Sequence, residues 1–362
     1  MKINFVINEP LRLASGGYKI IYQYANFLSK SNHQVSIYYR CRKNVLYSKF
    51  KIPFFLKILI ARLLQISNVN WFAVDKRIKR KIITKISDQN ISDGDVVIAT
   101  AVDTAIEVNR LSINKGKKYY FIQHFEDWVY DKSRVKQTYS LGMTNIVIAK
   151  WLKSIVDEES KKESIYIPNG IDNKVFYIKK SIESRNPASV AMLYHPQLWK
   201  GSQDAIQVLR RVKESHNNLQ VEMFGIADKP VNIPEWINYT QNATQDQLLE
   251  IYNNSSIFLC ASWSEGFGLT GAESMFCGCA LVTTDTLGVR EYADEKNAII
   301  CEPKNIDALT KAVSNLIENN DLRIKIAKLG HSSVIKQLDY NKACKSFEQV
   351  INGKLENREK YL

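Results

Sequence analysis

Paired cysteines, long hydrophobic runs and early acidic residues are scarce in this sequence of 362 residues. The six cysteines (Cys41, Cys260, Cys277, Cys279, Cys301 and Cys344) form no Cys-x-x-Cys pair and mostly sit inside apolar strings, as small buried hydrophobes do. That usage excludes a disulfide-stapled scaffold and fits a reducing, cytosolic compartment. Cys277-Gly-Cys279 supplies half a metal set at most, because no nearby His or Cys completes it. The longest apolar stretch, Phe54 to Ile66, is interrupted by Lys57 and Arg62 and falls short of the roughly 20 residues a membrane span needs. The start, MKINFVINEP, lacks the apolar region of a signal peptide and reads as a first strand, so no export is expected. Ser15-Gly-Gly17 lacks the Gly-x-Gly-x-x-Gly fingerprint, which argues against a dinucleotide dehydrogenase. Short-period repeats and low-complexity tracts are absent as well. With 45% apolar and 24% charged residues, the composition excludes wholesale disorder, collagen and coiled coil.

The net charge is +13, and it is unevenly placed. From Pro10 to Lys85 there are 16 basic residues and one acid, Asp75, while the rest of the chain holds 34 basic and 36 acidic residues. All the positive excess therefore lies in one early segment. That segment also carries aromatics and aliphatics, Tyr38, Tyr39, Phe50, Phe54, Phe55, Leu56, Leu59 and Leu63 among them. Basic charge beside apolar area suits an anionic membrane surface. A nucleic-acid partner is disfavoured, since no aromatic RNA-recognition string occurs and the basic excess ends near residue 85.

Apolar strand patterns alternate with helical ones nearly throughout. Ile3–Asn8 is followed by Gly16-Gly17 and a helix presenting Ile20, Ile21, Tyr24, Phe27 and Leu28 on one face. Strands are expected at Gln34–Tyr39, Val96–Thr100, Tyr119–Gln123, Asn145–Ala149 and Ser164–Pro168, with two basic helices around residues 51–66 and 76–88. Pro168 to Pro187 is polar and turn-rich and reads as a linker. A second series follows, with strands at residues 189–194, 219–224, 256–260, 280–283 and 297–301 and helices at 202–215, 244–253, 270–278, 306–318 and 321–336. An amphipathic pattern over Tyr340–Ile351 ends it. Such alternation implies parallel sheets covered on both faces. The expectation is an α/β protein of two Rossmann-like, doubly wound domains facing a cleft, with ligands at the carboxyl ends of the strands. The first domain is expected over residues 1–170, the linker over 171–187 and the second domain over 188–339, with a C-terminal helix in 340–362 packing back on the first.

One string carries most chemistry: Ser264-Glu-Gly-Phe-Gly-Leu-Thr-Gly-Ala-Glu273. It follows a buried strand and opens a helix. Unpaired amides at a helix start, with glycines admitting close approach, make an anion site that phosphate commonly fills. Glu265 stands just before those amides and Glu273 about one turn into the helix. Carboxylates beside an anion site suit a ligand that also offers hydroxyls, as sugars and riboses do. A purely local reading stays open, because Thr270-x-x-Glu273 is also a capping box.

The Glu265-x7-Glu273 spacing resembles retaining glycosyltransferases of family 4, which have the two-domain glycosyltransferase-B fold. The resemblance extends along most of the chain. Gly16-Gly17 is similar to that family's N-domain glycine loop, and Asn32-His33-Gln34-Val35 to its turn into strand two. Pro168-Asn-Gly-Ile-Asp172 resembles its linker start, and Lys200-Gly201 the second half of its phosphate motif. Ala280–Thr284 with Gly288-x-x-Glu291 resembles the strand and turn after the two glutamates.

The resemblance implies transfer of a sugar from a nucleotide diphosphate sugar with retention of anomeric configuration, without a metal and without a bound cofactor. It implies that Glu265 and Gly266 face the donor sugar and that Glu273 binds the ribose. Amides of Phe267, Gly268, Leu269 and Thr270 would reach the diphosphate. Lys200 would stabilise the leaving phosphate, a role fixed positive charge fills well, while Gly16 and Gly17 would admit close approach of backbone. The family's arginine position falls on His195, which is only partly charged near neutral pH and lacks the arginine fork. His124, at the end of Tyr119–Gln123, would orient the sugar, and Glu126 or Asp127 would face the acceptor. Front-face attack, with the donor's phosphate accepting the proton, is the mechanism the resemblance implies.

The expected function is therefore a glycosyltransferase of cell-surface polysaccharide synthesis, cytoplasmic and peripheral on the inner membrane face. Its expected partners are a nucleotide-sugar donor, a saccharide or lipid-linked acceptor, and an anionic membrane surface met by the basic segment 40–81. Its rivals are a nucleotide-sugar 2-epimerase of the same fold and a basic nucleic-acid-binding protein.

Overall fold

The computed structural model describes residues 1–10, 13–41, 53–63 and 69–354. These divide into two compact units, Met1–Ile167 with the chain from Cys344, and Pro168–Ala343. Among the described residues no helix is long and apolar enough to cross a membrane.

The first unit is a seven-stranded parallel sheet. Its elements run β1 (Lys2–Ile7), α1 (Gly16–Lys30), β2 (Gln34–Arg40), α2 (Phe54–Leu63), β3 (Lys79–Ile83), β4 (Val96–Ala99), α3 (Val102–Asn109), β5 (Lys117–Ile122), α4 (Lys132–Tyr139), β6 (Thr144–Val147), α5 (Lys150–Ser160) and β7 (Ile165–Tyr166). The strand order is β3-β2-β1-β4-β5-β6-β7. Central strands are apolar on both faces because helices cover both: Phe5, Ile37, Val97, Phe121 and Ile146 are fully buried. The order reverses direction between β1 and β4, so the loops leaving those strands' carboxyl ends diverge and open a crevice there.

The second unit is a six-stranded parallel sheet of order β10-β9-β8-β11-β12-β13. Its elements are β8 (Ser189–Tyr194), α6 (Ser202–Ser215), β9 (Gln220–Gly225), β10 (Ile237–Gln241), α7 (Gln245–Asn254), β11 (Ile257–Cys260), α8 (Leu269–Phe276), β12 (Ala280–Thr284), β13 (Ile299–Cys301), α9 (Ile306–Glu318) and α10 (Asn320–Gln337). Its core joins Val190, Met192, Leu209, Val221, Leu259, Val282, Val313 and Leu316. Here the switch falls between β8 and β11. The two-sheet, doubly wound α/β architecture expected from the alternation is what the chain adopts.

Helix α11 (Tyr340–Ile351) follows α10. In the first unit, Phe347 of α11 stacks on Tyr24 with ring centroids 4.2 Å apart, and the Tyr119 hydroxyl donates to the Val350 carbonyl at 3.0 Å. Residues 168–187, expected as a linker, group with the second unit and bury Phe176, Ile182 and Arg185. Arg185 donates to the carbonyls of Lys180, Tyr252, Ser255 and Cys277 and so joins the ends of α7 and α8. Carbonyl-rich helix C-termini carry partial negative charge and receive the guanidinium without a carboxylate.

Two elements differ from expectation. The second basic helix, around residues 76–88, is instead the strand β3, paired parallel with β2 from Ser36–Lys79 to Arg40–Ile83. Ile78, Ile82 and Ile83 are buried while Lys79 and Lys81 stay exposed, the compromise of an edge strand. Strand β10 was not anticipated, because of its five residues only Ile237 is buried and no apolar run marks it. Helix α2 falls inside the first expected basic helix, and residues 51–52 and 64–66 of that stretch lie outside the described residues. The same holds for residues 42–52 and 64–68 of the basic segment 40–81.

Candidate functional site

At the carboxyl ends of β8 and β11, the switch point of the second sheet, two loops converge. The loop after β8 makes a short 3-10 turn, Leu198–Lys200, and enters α6 through Gly201. Gly201 has φ +60°, and a Cβ there would lie 1.8 Å from the Ala261 carbonyl oxygen. Only glycine tolerates both that conformation and that approach, which explains why Lys200 is followed by Gly. The backbone then holds the two loops together, as Trp263 N donates to the Trp199 carbonyl at 2.7 Å.

Lys200 Nζ lies 2.8 Å from Glu265 Oε2, and Ser262 Oγ donates to Glu265 Oε1 at 2.8 Å. Both members of the ion pair are mostly but not wholly buried, with side-chain exposures of 23% and 12%. Lys200, Cys260, Ser262, Glu265 and Thr270 line one small pocket. The pair is therefore a charged couple at a pocket wall, where an incoming anion would compete with Glu265 for the ammonium. The loop carrying Glu265 is fixed from below by a bridge between Glu265 and Leu287. It is fixed from the side by Trp263, whose indole N–H donates to Asp204 at 2.7 Å while Lys304 lies 4.1 Å over its ring.

Helix α8 starts at the same pocket. Gly268, its N-cap, has φ +83°, which glycine alone adopts without strain. The amides of Gly271 and Ala272 return to the Gly268 carbonyl, leaving the amides of Leu269 and Thr270 as the unpaired first donors of the helix. The Tyr292 hydroxyl donates to that carbonyl at 2.7 Å and fixes the turn, and Phe267 is buried against the same ring at 5.6 Å between centroids. Gly266 and Glu265 lead directly into this turn.

Glu273 has a different setting. It is the fifth residue of α8, buried, and its Oε2 accepts from the Tyr252 hydroxyl at 3.3 Å. The capping box does not form, because the N-cap is Gly268 rather than Thr270. His195 leaves β8 with its backbone N–H donating to Ser202 Oγ and its Nδ1 accepting from the Gln197 amide. Burial, and then Lys200 nearby, hold its pKa below the usual histidine range, with Glu265 opposing.

The residues expected from the first domain lie in the first unit. Gly16 and Gly17 open α1, and the Gly17 carbonyl accepts from Gln123 Nε2 at 3.1 Å. A Cβ on Gly17 would make only ordinary contact, 3.5 Å from Gln123, so packing does not demand glycine there. His124 follows β5, edge-on to Trp128 at 4.5 Å and Trp151 at 5.8 Å. Glu126 accepts from the Val102 amide at the start of α3, and burial raises its pKa to about 7, against the lowering effect of that hydrogen bond. The second unit thus gathers Lys200, Glu265, Thr270 and the α8 turn, with His195 beside them; in the first unit His124 follows β5, and Gly16 and Gly17 are the first residues of α1, the helix after β1.

Sequence reasoning passed over Ser262, Tyr292, Tyr252 and the Trp263–Asp204 brace. Ser262 precedes Glu265 by three residues and was legible as a loop donor; Tyr252 and Tyr292 reach the site only through tertiary packing. Among the described residues no group of three or more His, Cys, Asp or Glu side chains could hold a metal ion. Cys277 and Cys279 are buried thiols with raised pKa, that of Cys279 pushed up to about 12, which disfavours the thiolate a metal needs. Asp93 and Asp95 lie at the amino end of β4, with Asp93 paired to Lys115 and Asp95 accepting the Lys2 amide.

Residues 175–332 match the family model described as glycosyl transferases group 1, which covers this pocket and the α8 turn. An uncharacterized glycosyltransferase of Methanocaldococcus jannaschii is 24% identical over 240 residues, covering 62% of this chain and 65% of its own. The N,N'-diacetylbacillosaminyl-diphospho-undecaprenol alpha-1,3-N-acetylgalactosaminyltransferase of Campylobacter jejuni is 31% identical over 85 residues, 23% of each chain. The matches thus span less than two thirds of either relative's length. Among solved structures, Anabaena HepE in complex with UDP and glucose superposes with a TM-score of 0.73 at 12% identity, over 98% of this chain and 100% of that one. The fold is that of the glycosyltransferase-B class, and the second unit carries the group 1 glycosyltransferase pattern.

Proposed function

We propose that the protein is a retaining, metal-independent family 4 glycosyltransferase that takes a sugar from a nucleotide diphosphate sugar. The observation that carries this reading is the Lys200–Glu265 pair, 2.8 Å apart, beside the unpaired amides that start α8. A diphosphate offers negative charge to the lysine and to the helix dipole. Its arrival frees Glu265 to accept hydroxyl hydrogens of the sugar. As the glycosidic oxygen leaves, charge builds on the β-phosphate, and Lys200 and the amides of Leu269 and Thr270 stabilise it without moving. Glu273, held by Tyr252, supplies an acceptor for the ribose, and His124 orients the sugar. The matched family model and the glycosyltransferase relatives support the class of reaction.

The acceptor in this proposal is a saccharide, in lipid-linked form, used in cell-surface polysaccharide assembly on the inner membrane face. Two observations support it. Phe55, Leu59 and Leu63 of α2 are 71%, 51% and 73% exposed within the basic early segment. The Campylobacter relative's name specifies a diphospho-undecaprenol acceptor.

A thermal-shift screen against UDP, GDP, dTDP and ADP sugars, followed by transfer assays with the stabilising donor, tests the donor reading. Stabilisation by none of them overturns it. Proton NMR of the product distinguishes retention from inversion. Incubating the donor alone separates transfer from 2-epimerisation, since an epimerase isomerises it without acceptor. Sedimentation with vesicles containing or lacking anionic lipid tests the membrane claim, and equal recovery in the supernatant removes it.

A further inference from the structure

Ser262 stands between the two partners of the ion pair. It follows β11, is 3% exposed and lines the same pocket as Lys200 and Glu265. Its Oγ has two acceptors within reach, Glu265 Oε1 at 2.8 Å and the Lys200 carbonyl at 3.3 Å. A hydroxyl has one hydrogen and serves one acceptor well, and the shorter contact to a charged oxygen is the stronger. The Cys260 thiol donates to the same Oγ at 3.5 Å. The main chain of Ser262 is held from a third element, because the buried Thr284 of β12 donates its hydroxyl to the Ser262 carbonyl. The Ser262 hydroxyl is therefore anchored in the sheet and does not travel with the Lys200 side chain.

The two oxygens of Glu265 consequently differ. Oε1 is held by that anchored neutral donor, and Oε2 by an ammonium on a flexible four-carbon stem. A bound diphosphate draws the ammonium and leaves the hydroxyl where it is. Oε2 is then the oxygen that loses its partner, on a side chain only 12% exposed, and such an oxygen needs a new donor.

We propose that Ser262 is a positioning residue for the donor sugar: it pins Glu265 Oε1, so that Oε2 alone turns from Lys200 to a sugar hydroxyl when the diphosphate binds. The proposal rests on the nucleotide-sugar reading above. Without the pin, the last torsion of Glu265 is broad and nearly two-fold. Either oxygen can then follow the ammonium, and the sugar meets a carboxylate of no fixed orientation.

The test is calorimetric titration, without acceptor, of the nucleotide sugar selected by the thermal-shift screen and of its nucleoside diphosphate. Ser262→Ala is expected to bind the nucleotide sugar about 10-fold more weakly, the scale of one hydrogen bond to a charged group, and the nucleoside diphosphate within about threefold of wild type. Ser262→Cys, which keeps the volume but donates weakly, is expected to lose sugar binding in the same way and guards against a folding defect in the alanine variant. In a Glu265→Gln background, Ser262→Ala should weaken nucleotide-sugar binding by less than about threefold, because a residue that acts through Glu265 has nothing left to position. Equal weakening of both ligands, undiminished binding of the nucleotide sugar, or a second full loss in the Glu265→Gln background overturns the proposal and leaves the nucleotide-sugar reading standing. Binding of neither ligand by wild type overturns that reading and this proposal with it.

Discussion

The Tyr252 hydroxyl donates to Glu273 Oε2 across 3.3 Å, with both side chains buried in the second unit. A carboxylate removed from water needs such donors, and the tyrosine also sets which way it faces. Tyr252→Phe is expected to lower stability by about 1–2 kcal/mol, the cost of leaving a buried acceptor short of a partner. Urea unfolding measures it. If Glu273 also reads the ribose, the same variant weakens nucleoside diphosphate binding under conditions where it is fully folded.

Lys200→Ala is expected to lower turnover by about 100-fold, on the scale of one lost contact to developing charge. Its stability should fall as well, by about 1–3 kcal/mol, because Glu265 is left mostly buried with Ser262 as a partner but without the ammonium, so turnover is read where the variant is fully folded. Glu265→Gln should remain folded, still bind the nucleoside diphosphate and fail in sugar transfer. Release of nucleotide from the donor, followed with and without acceptor, separates the two variants. Unchanged turnover in Lys200→Ala would remove the lysine from the reaction.

Glu126 gives a pH signature. Burial raises its folded-state pKa from the usual 4.5 to about 7. Between those values the folded protein holds a proton that the unfolded chain has released, so this group's contribution to stability falls as pH rises from about 4.5 to about 7 and is constant above. Glu126→Gln keeps an acceptor for the Val102 amide and removes the ionisation. It is expected to be more stable than wild type by about 3 kcal/mol at about pH 8, with the difference vanishing near pH 4. Denaturation midpoints across that range check it; a pH-independent difference would place the carboxyl in water.

Phe347 is fully buried and touches three aromatic rings, Tyr24 at 4.2 Å, Phe121 at 5.6 Å and Phe5 at 6.2 Å between centroids. Phe347→Ala is expected to cost about 3–5 kcal/mol, from lost burial and the cavity left behind. Thermal unfolding of the variant, read with tryptophan fluorescence, should show the loss. A change below about 1 kcal/mol would mean that α11 is not part of the first unit's core.

Chain periodicity was enough for the architecture. Helix α9 occupies Ile306–Glu318 and α6 Ser202–Ser215, the bounds their apolar spacing suggests, because amphipathic period and capping are properties of neighbouring residues. Buried strands such as Ile257–Cys260 were legible because helices cover both faces and leave an unbroken apolar run. The edge strands were not. β3 reads as a basic helix and β10 gives no element at all, since an edge strand owes its conformation to the partner it bonds and carries little apolar signal of its own.

The residue types of the site belong to the same local record: glycines and acids between a strand and a helix predict an anion-binding turn wherever they occur. What the sequence by itself determined was therefore two doubly wound sheets and the chemistry available at one turn of the second. Tertiary structure alone decided which side chains that turn meets. Lys200 and Glu265 are 65 residues apart, Tyr252 and Glu273 are 21, and Tyr292 reaches Gly268 across 24. These meetings follow from strand order, β11 lying beside β8 although β9 and β10 intervene in the chain. No local period encodes that order, because it is set by which apolar faces can be buried together.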